Sequence, residues 1–139
     1  MKSSKPILLV EDDKVDAMTV RRALDDLKVK NRLEMTEHGE EALAYLRDPD
    51  EERPCVILLD LRMPRMNGIE FLEIIKSDPA LKRIPVVVMT TSREEQDIVK
   101  TFDLGVAGYI VKPVDYNRFV ETMKTVDLYW TLSELPPEG

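Results

Sequence analysis

The sequence predicts an α/β fold in which five parallel strands, four of them buried and one at an edge, alternate with five helices. Three observations carry that reading. Short apolar runs recur along the chain, the segments between them place apolar residues at helical spacing, and prolines fall between elements rather than inside them. Such alternation implies a parallel sheet with helices on both faces and right-handed crossovers.

The first strand is 7-ILLV-10, apolar throughout as in a strand buried on both faces. Ala17, Val20, Leu24 and Leu27 then recur at helical spacing. Leu33-Glu34-Met35 alternates weakly, as an edge strand does, and Ala42, Leu43 and Leu46 mark a second helix. The run 55-CVILL-59 is the third strand, and Ile69, Leu72 and Ile75 give the third helix. Next come 86-VVVM-89, a helix on Ile98, Val99 and Phe102, and the strand 109-YIV-111. A fifth helix starts after Asp115, a good N-cap, and carries Phe119, Val120 and Met123. Pro49, Pro54, Pro79 and Pro85 separate elements, and Gly105 stands where a helix C-terminal cap is expected.

A chain of 139 residues suits one compact domain, which at this size buries roughly 70% of its unfolded surface without a covalent staple. Residues 1–126 form that domain, and 127–139 form an amphipathic extension ending in Pro-Pro. Hydrophobic and charged contents of 43% and 34% are ordinary for a globular protein. A net charge of −7, with no compensating basic stripe, argues against nucleic acid as a partner. Cys55 is the one cysteine, so no internal disulfide forms; in an apolar run it reads as a buried structural thiol, and a reducing cytoplasm fits. The apolar stretch Ile7 to Val10 is far too short for a signal peptide core or a membrane span.

In open parallel α/β sheets, ligands gather outside the carboxyl ends of the strands. There the first strand runs into Glu11-Asp12-Asp13, the third into Asp60, the fourth into Thr90-Thr91 and the fifth into Lys112-Pro113. Taken singly, Asp13 caps a helix, Asp60 caps a turn and Thr90 ends a strand. Taken together, they set carboxylates against one another, and two such charges about 4 Å apart repel by roughly 4 kcal/mol at an effective dielectric near 20. Raised carboxylate pKa values or a bound cation would relieve the conflict. Oxygen ligands with room for water favour Mg²⁺, which is held by one or two carboxylates together with substrate phosphate. Asp60 is then the nucleophile, Mg²⁺ and Lys112 supply positive charge, and Thr90 supplies a hydrogen bond.

These residues resemble the receiver domain of two-component response regulators over about residues 5–126. The resemblance rests on Glu11-Asp12, 58-LLDLRMPRMNG-68, Thr90 and 108-GYIVKP-113. It implies a doubly wound, flavodoxin-like receiver fold with strand order 2-1-3-4-5, an order for which a chemotaxis regulator of this family is the standard illustration. It also implies that Asp60 accepts the phosphoryl group, that Asp12 binds Mg²⁺ directly with Glu11 as its partner, and that the backbone carbonyl of Arg62 completes the protein's share of the shell. Lys112 is expected to pair with Asp60 before transfer and with the phosphoryl oxygens afterwards, its bond to Pro113 is expected to be cis, and Thr90 and Tyr109 resemble the family's switch pair. Met63-Pro64 and Asn67-Gly68 form the turn after the acceptor strand, with Gly68 expected in a conformation other residues resist. Arg62 and Ser92 occupy positions that tune phosphoryl lifetime in the family.

The chain stops soon after the fifth helix, so output by contact is expected. Tyr129, Trp130, Leu132 and Leu135, together with Leu128, make the tail apolar and aromatic, as at interfaces. Either the tail folds back on its own domain or it joins a homodimer or partner. The tail resembles those of regulators that serve cyanobacterial phytochrome-type histidine kinases, which implies a kinase partner of that type and a homodimer. His38 reads as a surface-loop histidine.

Three rivals share the layering. A haloacid dehalogenase-type hydrolase has a second acid two positions after its nucleophile, where this chain has Arg62. A flavodoxin-like binding module cradles phosphate in a loop that here is Glu11-Asp12-Asp13-Lys14, which repels an anion lacking a bridging metal. A pseudo-receiver scaffold would not need acceptor, acid pair, threonine and lysine together.

Overall fold

A computed structural model describes residues 5–63, 66–91, 94–112 and 115–132, with side chains described as far as residue 125. The elements are β1 (Ile7–Val10), α1 (Lys14–Asp26), β2 (Leu33–Thr36), α2 (Gly39–Arg47), β3 (Val56–Leu59), α3 (Gly68–Lys76), β4 (Val86–Thr90), α4 (Glu95–Asp103), β5 (Gly108–Val111) and α5 (Tyr116–Leu132). All strand pairs are parallel, in the order β2-β1-β3-β4-β5. The predicted fold class and strand order are both found. Order reverses between β1 and β3, which makes their carboxyl ends the place where a ligand crevice opens.

Side-chain alternation along the strands divides the core in two. Leu8, Val10, Ile57, Leu59, Val86 and Val88 face α2 and α3, where Ala42, Leu43, Phe71, Leu72 and Ile75 meet them. Ile7, Leu9, Val56, Leu58, Val87 and Met89 face α1 and α5, where Val20, Ala23, Leu24, Phe119 and Met123 pack. Cys55 is buried in this second layer. The Tyr116 hydroxyl donates to Asp26 Oδ2 at 2.5 Å and the Arg22 guanidinium lies 4.2 Å from the Tyr116 ring centre, so α1 and α5 are also joined at their exposed edge.

Helix ends carry the expected chemistry. Asp13 caps α1 by accepting from Asp16 N at 3.0 Å, and Asp115 opens α5 by accepting from Arg118 N at 3.3 Å. Asn67 and Glu70 form a reciprocal capping box at α3. His38, expected in a plain loop, caps α2: its Nδ1 accepts from Glu41 N at 3.2 Å. Gly105 follows α4 with φ +85°, and Gly105 N and Val106 N donate to Phe102 O and Thr101 O, the paired bonds of a Schellman ending.

α4 departs from its apolar spacing. Val99 and Phe102 are half exposed, and the helix's one fully buried residue is Thr101. Thr101 tolerates burial because its hydroxyl donates to Ile98 O at 2.9 Å. α5 runs through the expected division at 126/127 without a break and continues to Leu132. Among the described residues no helix is long and apolar enough to cross a membrane. Pro64, Ser92, the Lys112–Pro113 bond and Leu135 lie outside the described residues, as do the side chains of Tyr129, Trp130 and Leu132.

Candidate functional site

Strand register builds the site. β1 and β3 pair Val10 with Leu59, and Asp60 N donates to Val10 O at 3.0 Å, so Glu11 and Asp60 leave the sheet side by side. Both are buried, at 4% and 5% exposure, while Asp12 is open to solvent. One carboxylate oxygen from each of Glu11, Asp12 and Asp60 lies within 4.8 Å of the others. That spacing suits oxygen ligation of one hard divalent cation, two carboxylates from the first strand end and one from the third.

Local bonds hold the acids in place. Glu11 N donates to Thr36 O at 2.9 Å, and Glu11 Oε2 accepts from Asp13 N at 3.2 Å. Asp60 Oδ1 accepts from Arg62 N at 3.1 Å, closing the chain around the carboxylate. Gly68 backs this loop for a reason other than the one expected. Its φ is not positive; instead, a Cβ there would lie 2.6 Å from both Asp60 O and Leu61 Cα, so only glycine lets α3 start this close to the acceptor.

Lys112 closes the site from β5. Its backbone N donates to Thr90 O at 2.7 Å, fixing it beside the end of β4. Its ammonium lies 2.6 Å from Glu11 Oε1, 2.6 Å from Asp16 Oδ2 and 3.6 Å from Asp60 Oδ2. The expected pairing with Asp60 is therefore an ion-pair approach, and the closest partners are Glu11 and Asp16. Asp16 was not among the residues singled out in the sequence; in the first turn of a capped helix, it had a sufficient local explanation.

The electrostatic consequences differ at the two ends. Burial pushes the Glu11 carboxyl up to about 8; the bond from Lys112 opposes this and neighbouring Asp60 adds to it. Burial disfavours the Lys112 ammonium, but hydrogen bonds to Asp16 and Glu11 and the field of Asp60 outweigh it, so its pKa is raised and it stays cationic.

Thr90, fully buried, ends β4. Register pairs Val88 with Tyr109 and Thr90 with Val111, so Thr90 and Tyr109 share one sheet face, a step apart. The Tyr109 ring is partly buried and lies 6.5 Å from that of Phe102. Arg62 places its guanidinium 3.3 Å from Glu94 Oε1 and 3.9 Å from Asp97 Oδ2, spanning from the acceptor loop to α4.

A family profile, the response regulator receiver domain, matches residues 7–124. The chain belongs to this family. As a receiver it is 38% identical over 130 residues to the response regulator Rcp1 of Synechocystis sp., covering 91% of this chain and 88% of that protein. It is also 38% identical over 127 residues to a probable methanogenesis regulatory protein, FilR2, of Methanothrix harundinacea, covering 89% and 82%. Among solved structures, the phosphorylated cyanobacterial phytochrome response regulator RcpA superposes with a TM-score of 0.85 at 40% identity, covering 96% of this receiver and 98% of RcpA. The Mn²⁺-bound form of Rcp1 gives 0.85 at 36% identity, covering 96% and 99%. The receiver is thus a response regulator of the Rcp1 and RcpA kind, and aspartate phosphorylation and Mg²⁺ binding are general for its family.

Proposed function

We propose that this receiver takes a phosphoryl group from a phosphohistidine of a phytochrome-type histidine kinase onto Asp60. The observation that carries the reading is the meeting of the Glu11, Asp12 and Asp60 oxygens within 4.8 Å beside the Lys112 ammonium. Rcp1 in a Mn²⁺-bound form and RcpA in a phosphorylated form support it from similar proteins.

The Asp60 carboxylate oxygen attacks phosphorus as the phosphorus–nitrogen bond to the kinase imidazole breaks, and the departing nitrogen keeps the electron pair. Asp12 and Asp60, with Glu11 behind them and the Arg62 backbone carbonyl, would hold Mg²⁺, which supplies positive charge to the phosphoryl oxygens. Lys112 offers the second positive charge, and the Thr90 hydroxyl donates a hydrogen bond to the phosphoryl group once it is attached. That bond draws Thr90 toward Asp60 and vacates space into which Tyr109 turns, biasing the α4–β5–α5 surface between two states. Slow hydrolysis of the aspartyl phosphate by the receiver itself resets it, at a rate tuned by Arg62 and Ser92, which occupy the family's lifetime-tuning positions. Residues 1–126 act as the receiver and 127–139 as an interface segment, with Tyr129, Trp130, Leu132 and Leu135 joining a homodimer in the cytoplasm.

Incubation with Mg²⁺ and acetyl phosphate, followed by mapping of the modified residue, tests the assignment. Label is expected on Asp60 and is abolished by Asp60→Asn. Undiminished Mg²⁺-dependent labelling of that variant would assign the acceptor elsewhere.

A further inference from the structure

The Lys112 ammonium has three protons to donate. Two are directed to Glu11 and Asp16, each at 2.6 Å, while the nearest Asp60 oxygen stands at 3.6 Å, beyond a hydrogen bond. Glu11 belongs to the acidic cluster that could hold a cation, but Asp16 does not. Asp16, Glu11 and Lys112 instead line, with Val20, Met89 and Phe119, a cavity of about 130 Å³ that adjoins the acidic cluster. The lysine thus stands between two compartments.

We propose that Asp16 is a positioning residue for Lys112, a second carboxylate that holds the ammonium on the cavity side and competes for it with the phosphoryl group on Asp60. The inference rests on the phosphoacceptor reading of Asp60 and adds a residue to it. Asp16 is fixed in the first turn of α1, where its backbone N donates to the capping Asp13 side chain. Of the two close partners it is the exchangeable one. The Asp16 side chain is 37% exposed, so water can replace the lysine there, whereas Glu11 at 1% has little water to take its place. A phosphoryl group on Asp60 brings further negative charge to the far side of the ammonium. Moving about 1 Å toward it, Lys112 gives up Asp16, and the lost contact is subtracted from the hold on the phosphoryl group.

The test uses the full chain, Mg²⁺ and beryllofluoride, a stable mimic of the aspartyl phosphate, read by calorimetry. Asp16→Asn keeps the size and removes the charge. It is expected to tighten beryllofluoride binding by about three- to tenfold, the range for one partly exposed charge-assisted contact. The Kd for Mg²⁺ alone should not tighten, because Asp16 shares the Lys112 network with Glu11 and its loss removes negative charge near the metal acids. Asp16→Glu should restore the wild-type beryllofluoride affinity. In metal-free protein, acetic anhydride labelling of Lys112, mapped by mass spectrometry, should rise in Asp16→Asn and fall back in Asp16→Glu. Unchanged or weaker beryllofluoride binding, or a parallel change in Mg²⁺ affinity, would overturn the proposal. Wild-type protein that binds Mg²⁺ but not beryllofluoride would defeat the phosphoacceptor reading instead; labelling of Lys112 that ignores Asp16 would then dispose of the contact as well.

Discussion

Glu11 holds a buried carboxyl against Asp60, and metal binding must displace its proton. With the folded value near 8 and the ordinary value at 4.5, the native metal-free state keeps this proton where the unfolded chain has lost it. Through that window the native state binds more protons than the unfolded one, so this group costs the metal-free protein stability as pH rises, by up to about 1.4 kcal/mol per pH unit. The raised value of Lys112 acts in a different window: it contributes stability that is present below the unfolded value of 10.5 and lost above it. A cation requires Glu11 ionised, so Mg²⁺ affinity is expected to increase as pH climbs from 6 through about 8, with a proton released on binding below that pH. Calorimetry in buffers of different ionisation enthalpy reads the proton directly. Heats that do not depend on the buffer, together with a flat affinity profile, would count against this account. The acids and the lysine are legible in the sequence because Glu11, Asp60 and Lys112 each follow an apolar run directly and Asp12 adjoins Glu11. Asp16 is not: its approach to Lys112 depends on how α1 is set against β5, a tertiary relation 96 residues apart in the chain.

Helix endings show where local chemistry and tertiary demand part company. α1 and α4 both end in paired Schellman bonds, but α4 places Gly105 at the left-handed position and α1 places Lys28 there, at φ 59°. A side chain in that region carries strain of about 1 kcal/mol or more, partly offset because glycine loses more chain entropy on folding. Lys28→Gly is therefore expected to stabilise the protein by about 0.5 kcal/mol, raising the thermal midpoint by roughly 1–4 °C. A lower midpoint would mean that the Lys28 side chain contributes more than its backbone costs. The Gly105 cap was legible because glycine announces it; the same turn at Lys28 was not, since lysine names no turn type. α4 is a similar case: Val99 and Phe102 follow the apolar period, but the sheet edge does not cover them, and a satisfied hydroxyl on Thr101 takes the buried place.

The proposed homodimer places its contact at the end of α5. Phe119 and Met123 anchor the helix to α1 and the sheet, and the backbone then continues nine residues to Leu132, about 14 Å at the α-helical rise. That segment carries Tyr129 and Trp130, and Trp130 is the sole tryptophan of the chain, so its fluorescence reports the tail alone. If the tail joins two copies, dilution through the dimer Kd should shift Trp130 emission to longer wavelength as the ring meets water, and the mass measured in solution should fall in step. Deleting 127–139 should then give a monomer whose thermal midpoint no longer varies with concentration, because Phe119 and Met123 remain to hold the shortened helix. A tail folded on its own domain gives the opposite pair of results. Trp130 emission would be independent of concentration, and the deletion would lower the midpoint by removing apolar area from the same chain while leaving the mass per particle unchanged except for the missing residues. Both measurements read one equilibrium, so agreement between the emission shift and the change in mass separates a shared interface from a packed tail.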